Sequence, residues 1–201
     1  FVLLPANTFR TDSIDLGFRS DSTRTNFRLR NNDFTMRFHS AASMFALSDS
    51  VSRILPELDT MMTKQYVDVA KIQAKLPQFD ADVQSGNRNI VHAYLEGSGV
   101  SYDRFDLTLR NADEFDVAGQ LDRLNIGEVL FDTLTLDMAA RDKLRYRIGV
   151  NNSAKNQEFM KEAYIEGNIG GNSMDAFLLQ KDQFDEVGFE FGVKAELSDS
   201  I

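Results

Sequence analysis

Two histidines and several clusters of carboxylates are the side chains in this sequence with the reach for chemistry. The histidines are His39 and His92. Neither has a second His at ligand spacing, and the chain has no Cys. A protein zinc site takes three or four such ligands, so both are read as surface or rim histidines. The missing Cys also removes disulfides and thiol nucleophiles, and it suits cytoplasm and periplasm alike. Asp80 and Asp82 are spaced like the opening of a calcium loop. Ser85 stands where that loop needs Gly, however, and Val91 where it needs the closing Glu. Asp113, Glu114 and Asp116 form one acidic cluster, and Asp182, Asp185 and Glu186 another. A carboxylate pair hydrolyses glycosides only across a cleft, and these clusters sit in stretches that read as solvated turns. No P-loop, G-x-G-x-x-G or nucleophile elbow with a matching triad is present. The expectation is a chain that is not an enzyme, with no catalytic residues, no metal and no cofactor.

The rest of the composition describes a scaffold. The chain has 201 residues, enough for one domain or for a stretch of a quasi-linear repeat protein. It opens on Phe1, so a processed chain or a piece of a longer protein is expected. No run approaches the ~18 apolar residues of a membrane span, and Phe1 to Pro5 is too short for a signal-peptide core. Residues 1–40 hold six Arg against four Asp, a balance of +2, so the remainder carries −11 of the total −9. Such an acidic body repels phosphate backbones, and no nucleic-acid partner is expected. The Arg-bearing N-terminal strands are read as charged edge strands that block unwanted pairing.

Period-two alternation dominates the sequence, and it marks strands with one apolar face. Ile14, Leu16 and Phe18 begin it, then Phe27 and Leu29, then Phe34, Met36 and Phe38. Asn31-Asn32-Asp33 reads as a hairpin turn. Later runs are Leu134, Leu136, Met138; Leu144, Tyr146, Ile148, Val150; Ile165, Gly167, Ile169; and Met174, Ala176, Leu178. The last is Val187, Phe189, Phe191, Val193, Ala195 and Leu197. Arg, Lys, Glu, Asp and Thr fill the alternate positions, as in half-wet antiparallel sheets.

Residues 48–97 break this pattern. Val51, Ile54, Leu55, Leu58, Met61 and Met62 follow helical spacing after the capping oxygens of Ser48, Asp49 and Ser50. Pro56 predicts a kink or two short helices. A second helix is expected from Asp68, with Val69, Ile72 and Leu76 on one face and Pro77 ending it. A short strand then carries Phe79, Ala81 and Val83. A third helix is expected from Asn87 to Leu95, capped by Asn87 or Asn89 and stopping at Gly97. The layout is 1–47 as N-terminal strands, 48–97 as a helical insert with one short strand, and 98–201 as a β-rich segment. The fold class is therefore mostly β with a helical insert (α+β). Alternation alone leaves two uses for the apolar face, a packed sandwich core or an open groove.

The order Val69-x-x-Ile72-Gln73-x-x-Leu76-Pro77, short strand, Ser85-Gly86-Asn87, helix, Tyr94-Leu95, Gly99-Val100 resembles the TamB-type translocation and assembly module family of the AsmA-like superfamily. Phe131-Asp132-Thr133-Leu134-x-Leu136-Asp137 and Leu144-Arg145-Tyr146-Arg147-Ile148-x-Val150-Asn151-Asn152 are similar to the β segments of those proteins, as is Ala163-Tyr164-Ile165-x-Gly167-x-Ile169-Gly170. The likeness spans roughly Phe27 to Leu197. It implies an elongated, curled, β-taco-like antiparallel sheet with an apolar inner face. It also implies a periplasmic segment of a longer protein that is anchored in the inner membrane and bridges to the outer one. The roles attached to the family are phospholipid transport and outer-membrane protein assembly. The implied partners are phospholipid acyl chains or unfolded β-strands, and an outer-membrane assembly barrel protein. On this reading Leu134, Leu136, Leu144, Tyr146, Ile148, Phe189, Phe191 and Val193 line the lipid- or strand-binding groove. The rival is a β-sandwich module binding protein or carbohydrate, and a closed barrel or a hydrolase stands further off.

Overall fold

The computed structural model describes residues 13–64, 66–152 and 160–196. Its elements are β1 (Asp15–Ser20), β2 (Thr25–Asn31), β3 (Phe34–Ser40), α1 (Met44–Lys64), α2 (Val69–Lys75), β4 (Phe79–Ser85), α3 (Ile90–Glu96) and β5 (Val100–Ser101). Then follow β6 (Arg104–Asn111), β7 (Phe115–Ile126), β8 (Val129–Ala140), β9 (Leu144–Asn151), β10 (Glu162–Gly170), β11 (Ser173–Lys181) and β12 (Val187–Glu196). The fold is mostly β with a helical insert, as the alternation requires.

All these strands belong to one antiparallel sheet, ordered β1-β2-β3-β4-β6-β7-β8-β9-β10-β11-β12, with β5 paired to β7. Nearly every neighbour in space is therefore a neighbour in sequence. β1 and β12 end the path without meeting, so the sheet is open rather than a barrel. With no second sheet among the described residues, it is not a sandwich either. Right-handed strand twist, accumulated over eleven paired strands, curls such a sheet. The turns are short where the backbone permits. Asn32 takes φ 52° between β2 and β3, and Gly171 takes φ 63° between β10 and β11, a region that Asn and Gly enter most readily.

Several expectations need correction. α1 begins at Met44, because Ser43 caps it: its Oγ accepts from the Ala46 N–H at 3.2 Å and its carbonyl from the Leu47 N–H at 3.0 Å. Pro56 does not split the helix, which continues to Lys64. Both of its ends are tied to the sheet. The Met44 N–H donates to Ser20 Oγ at 3.0 Å, and beyond the C-terminus Val67 and Gly171 exchange two backbone hydrogen bonds of 2.8 Å. Two long strands, β6 and β7, lie where no runs were singled out. Of the Arg-bearing N-terminal strands only β1 is an edge; β2 and β3 are interior. His92 is buried, edge-on to Tyr102 with ring centroids 5.1 Å apart, and not at the rim.

α2 starts and stops as expected, and α3 begins at Ile90 rather than at Asn87. Asp68 caps α2, its side chain accepting from the Lys71 N–H, and Leu76 turns extended before Pro77. Asn89 caps α3 by accepting from the His92 N–H. Met61 is buried, whereas the Met62 side chain and Leu197 lie outside the described residues.

Candidate functional site: an open apolar face

Residues paired directly across antiparallel strands point to the same side of the sheet, so the register identifies each face row by row. One row reads Leu16, Leu29, Met36, Val83, Leu107, Gly119, Leu136, Ile148, Ile165, Leu178 and Phe191. It crosses eleven strands without a polar side chain. The next row starts at Phe18, Phe27 and Phe38, passes Leu109, Val117, Met138 and Tyr146, and ends at Val193. The opposite face of the sheet alternates charge instead. There Arg28, Arg37, Asp82, Asp137, Arg147 and Glu166 share a row. Arg147 bonds Glu166 at 3.1 Å and stacks over the Tyr164 ring at 3.9 Å.

The eight groove residues named from sequence all fall on the apolar face, in four adjacent rows. Leu136, Ile148 and Phe191 share one row, and Tyr146 and Val193 the next. Leu134 and Phe189 lie in the row beyond Ile148, and Leu144 in the row beyond Tyr146. The sequence reading missed Leu107, Leu109, Val117 and Leu121 on β6 and β7, which complete the rows through the middle of the sheet. Their signal was the same alternation, visible in Phe105-x-Leu107-x-Leu109 and Val117-x-Gly119-x-Leu121. Gly167 leaves room for Tyr146, its direct partner across β9 and β10. A Cβ there would stand 2.8 Å from Tyr146 Oη and 2.0 Å from the Asp175 carbonyl oxygen.

Helices border this face at the two ends of the strands. The row beyond Tyr146 contains Phe115, Ala140, Leu144 and Ile169, and α2 lies along it with Val69 buried. α2 is fixed by Asn111, whose Nδ2 donates to the Leu76 and Pro77 carbonyls, and by Gln73, whose Nε2 donates to the Asp113 carbonyl. α1 runs along the same lip from Ser20 to the β10–β11 turn, about 31 Å for its length. Glu57 of α1 bonds Lys71 and Lys75 of α2, and those hydrogen bonds hold its carboxyl down to about 2. At the other end of the strands, Asn89 is wholly buried. Its Nδ2 donates to Asp33, Ser85 and the Gly86 carbonyl. Ser85 Oγ also pairs with Tyr102 Oη at 2.6 Å.

Between these borders the face is open. Ile148 is 47% exposed, Phe191 55% and Leu16 64%. All ten residues of β12 are exposed. Buried apolar side chains such as Met61, Val69, Ala140 and Tyr102 gather at the helix-bordered ends, and Ala81 and Val117 are buried within the Tyr146 row.

Five of the eight carboxylates singled out from sequence have structural partners. Asp80 pairs with Arg110 at 3.7 Å, and Asp82 accepts from Thr108 Oγ1 at 3.4 Å, both on β4 and not in a loop. Glu114 pairs with Arg141 at 3.5 Å. Asp182 accepts from the Phe184 and Glu186 N–H groups, and Lys161 pulls the Asp185 carboxyl below its usual range. A general acid needs a shift in the opposite direction. Among the described residues no three His, Asp or Glu side chains are grouped to hold a metal ion, and no helix is long and apolar enough to cross a membrane. No family model, curated protein or solved structure matches the chain.

Proposed function

We propose that this chain is a non-catalytic segment of a cell-envelope protein that bridges inner and outer membranes, its apolar face shielding phospholipid acyl chains or unfolded β-strands from water. The observation that carries the reading is the unbroken apolar row from Leu16 to Phe191, none of whose residues is fully buried. Ten inter-strand steps of ~4.8 Å give a path of roughly 48 Å along the sheet. Each methylene laid on such a surface gains up to ~0.8 kcal/mol, and near-equal surroundings at every strand let a chain slide without a deep trap. Transfer of this kind uses no acid, base or nucleophile. The acidic body supports placing the work on hydrocarbon rather than on nucleic acid. On this reading the parent protein is anchored in the inner membrane outside this segment, the segment sits in the periplasm, and an outer-membrane assembly barrel protein is the partner at the far side.

The test is a photo-crosslinking amino acid at Ile148, illuminated in living cells. A phospholipid adduct is the expected result, and an adduct to an unfolded outer-membrane protein would assign the face to strands instead. Crosslinks confined to neighbouring residues of the same chain would make the face a closed core and end the proposal.

A further inference from the structure

Beneath α2 the sheet and helices frame an open-sided cavity of about 350 Å³. Its walls are Val69, Ile72 and Leu76 from α2, and Ala140, Leu144 and Ile169 from the covered row of the sheet. Leu58 of α1, itself partly exposed, borders one side, and Met138, on the neighbouring row, forms part of the wall toward the groove. Gln73 is the one polar side chain in the lining, and its amide N–H is already committed to the Asp113 carbonyl at 3.0 Å. The walls therefore offer hydrocarbon and almost no hydrogen-bonding capacity.

We infer that this cavity is a side pocket for the methyl end of a single hydrocarbon chain. A ligand with a polar interior would lose its hydration there with nothing in return. A dry cavity of about 150 Å³ lined by aliphatic and aromatic side chains holds a six-carbon benzene ring. A cavity of about 350 Å³ has room for a chain of roughly twelve carbons by the same measure. The headgroup has no counterpart inside, so it stays out over the groove. The pocket is also held in shape. α2 is pinned by Asn111 and Gln73, by the Glu57 pairs with Lys71 and Lys75, and by the Val67–Gly171 bridge. It is a built recess and not a flap lying on the sheet. The inference rests on the trough reading only for the source of the chain, an acyl group drawn from the open rows.

The test uses the whole 201-residue chain and dodecanoate as the probe. The expected result is saturable binding, with nuclear Overhauser contacts from the terminal methyl of dodecanoate to Ile72, which belongs to α2 and not to the open rows. Affinity should climb about fourfold per methylene from eight to twelve carbons and then level off. Ala140→Leu fills the pocket from the sheet and Leu58→Phe fills it from α1; each should weaken binding tenfold or more. Arg37→Ala, on the opposite, charged face, should change it less than twofold. Binding lost in Ile148→Asp, on an open row, and kept in both filling variants would place the chain on the open face. That would overturn the pocket and leave the trough standing. No saturable binding by the unaltered chain would overturn the pocket, and the Ile148 crosslink would then decide the trough separately.

Discussion

Leu144 and Ile148 lie on the same strand, on the same face, four residues apart, and they are chemically alike. Yet Leu144 sits in the row that α2 covers, against buried Ala140 and Val69, while Ile148 is 47% exposed. At its ends the apolar face is covered, by α2 over the row of Leu144 and by the Asn89–Tyr102 cluster at α3. Between them it keeps the same residue types without a cover. The difference teaches that alternation supplies an apolar surface, and that an inserted helix decides whether the surface becomes core or remains available.

Paired charge insertions test this contrast most strongly. Val69→Asp places an unpaired carboxylate under α2 and should cost about 3 kcal/mol or more. Ile148→Asp should cost below about 1 kcal/mol, because water already reaches that position. Urea unfolding of both variants measures the gap, and equal losses would mean that the middle rows are core after all. A second pair concerns backbone fit. Gly167→Ala brings its Cβ onto the Asp175 carbonyl and Tyr146 and should cost about 2 kcal/mol. Gly188→Ala has nothing within 4 Å and should stay within about 0.5 kcal/mol. Thermal melts of the two would show whether β10 is as tightly fitted as the Gly167 contacts require.

The smallest effect concerns what fastens α1 to α2. The Glu57 carboxyl is lowered from its ordinary 4.5 to about 2 by Lys71 and Lys75. A lowered carboxyl contributes fully above its ordinary value, and the contribution is lost as pH falls through the folded value. Hydrogen exchange in α2 should therefore quicken from pH 4.5 toward 2, beyond the intrinsic trend, while β8 and β9 stay protected. Glu57→Gln should abolish that extra dependence. If β8 and β9 lose protection together with α2, the helical cover and the sheet are one cooperative unit and not two.

Much of the sheet was legible because period two is a local property. β2, β3, β4, β9, β10 and β11 follow alternations that are plain in the sequence, and the eight residues assigned to one face do share it. Capping was legible for the same reason at Asp68, Asn89 and Leu76-Pro77, where each signal acts within a turn. The start of α1 was not, because two capping segments compete within eight residues. Ser43 prevails over Ser48-Asp49-Ser50 through contacts that involve Ser20, two strands away. Pro56 does not make two helices for a related reason: a helix anchored at both ends continues past one missing hydrogen bond. His92 looked like a rim residue because nothing nearby in sequence announces Tyr102 beside it.

A short repeat marks the boundary between the two kinds of information. Tyr94-Leu95-Glu96-Gly97 closes α3, whereas Tyr164-Ile165-Glu166-Gly167 runs through the middle of β10. The four side chains are nearly the same, so propensity does not separate them. The first follows the Asn89 cap, and the second lies between β9 and β11, whose hydrogen bonds hold it extended. By itself the sequence determined the strands, the apolar face and the helical interruption, because hydrophobic periodicity and caps act over a few residues. Only the tertiary structure decided that one sheet stays open, that its rows align across eleven strands, and that α2 covers one lip. Register, edge pairing and cover depend on contacts between residues far apart in the chain.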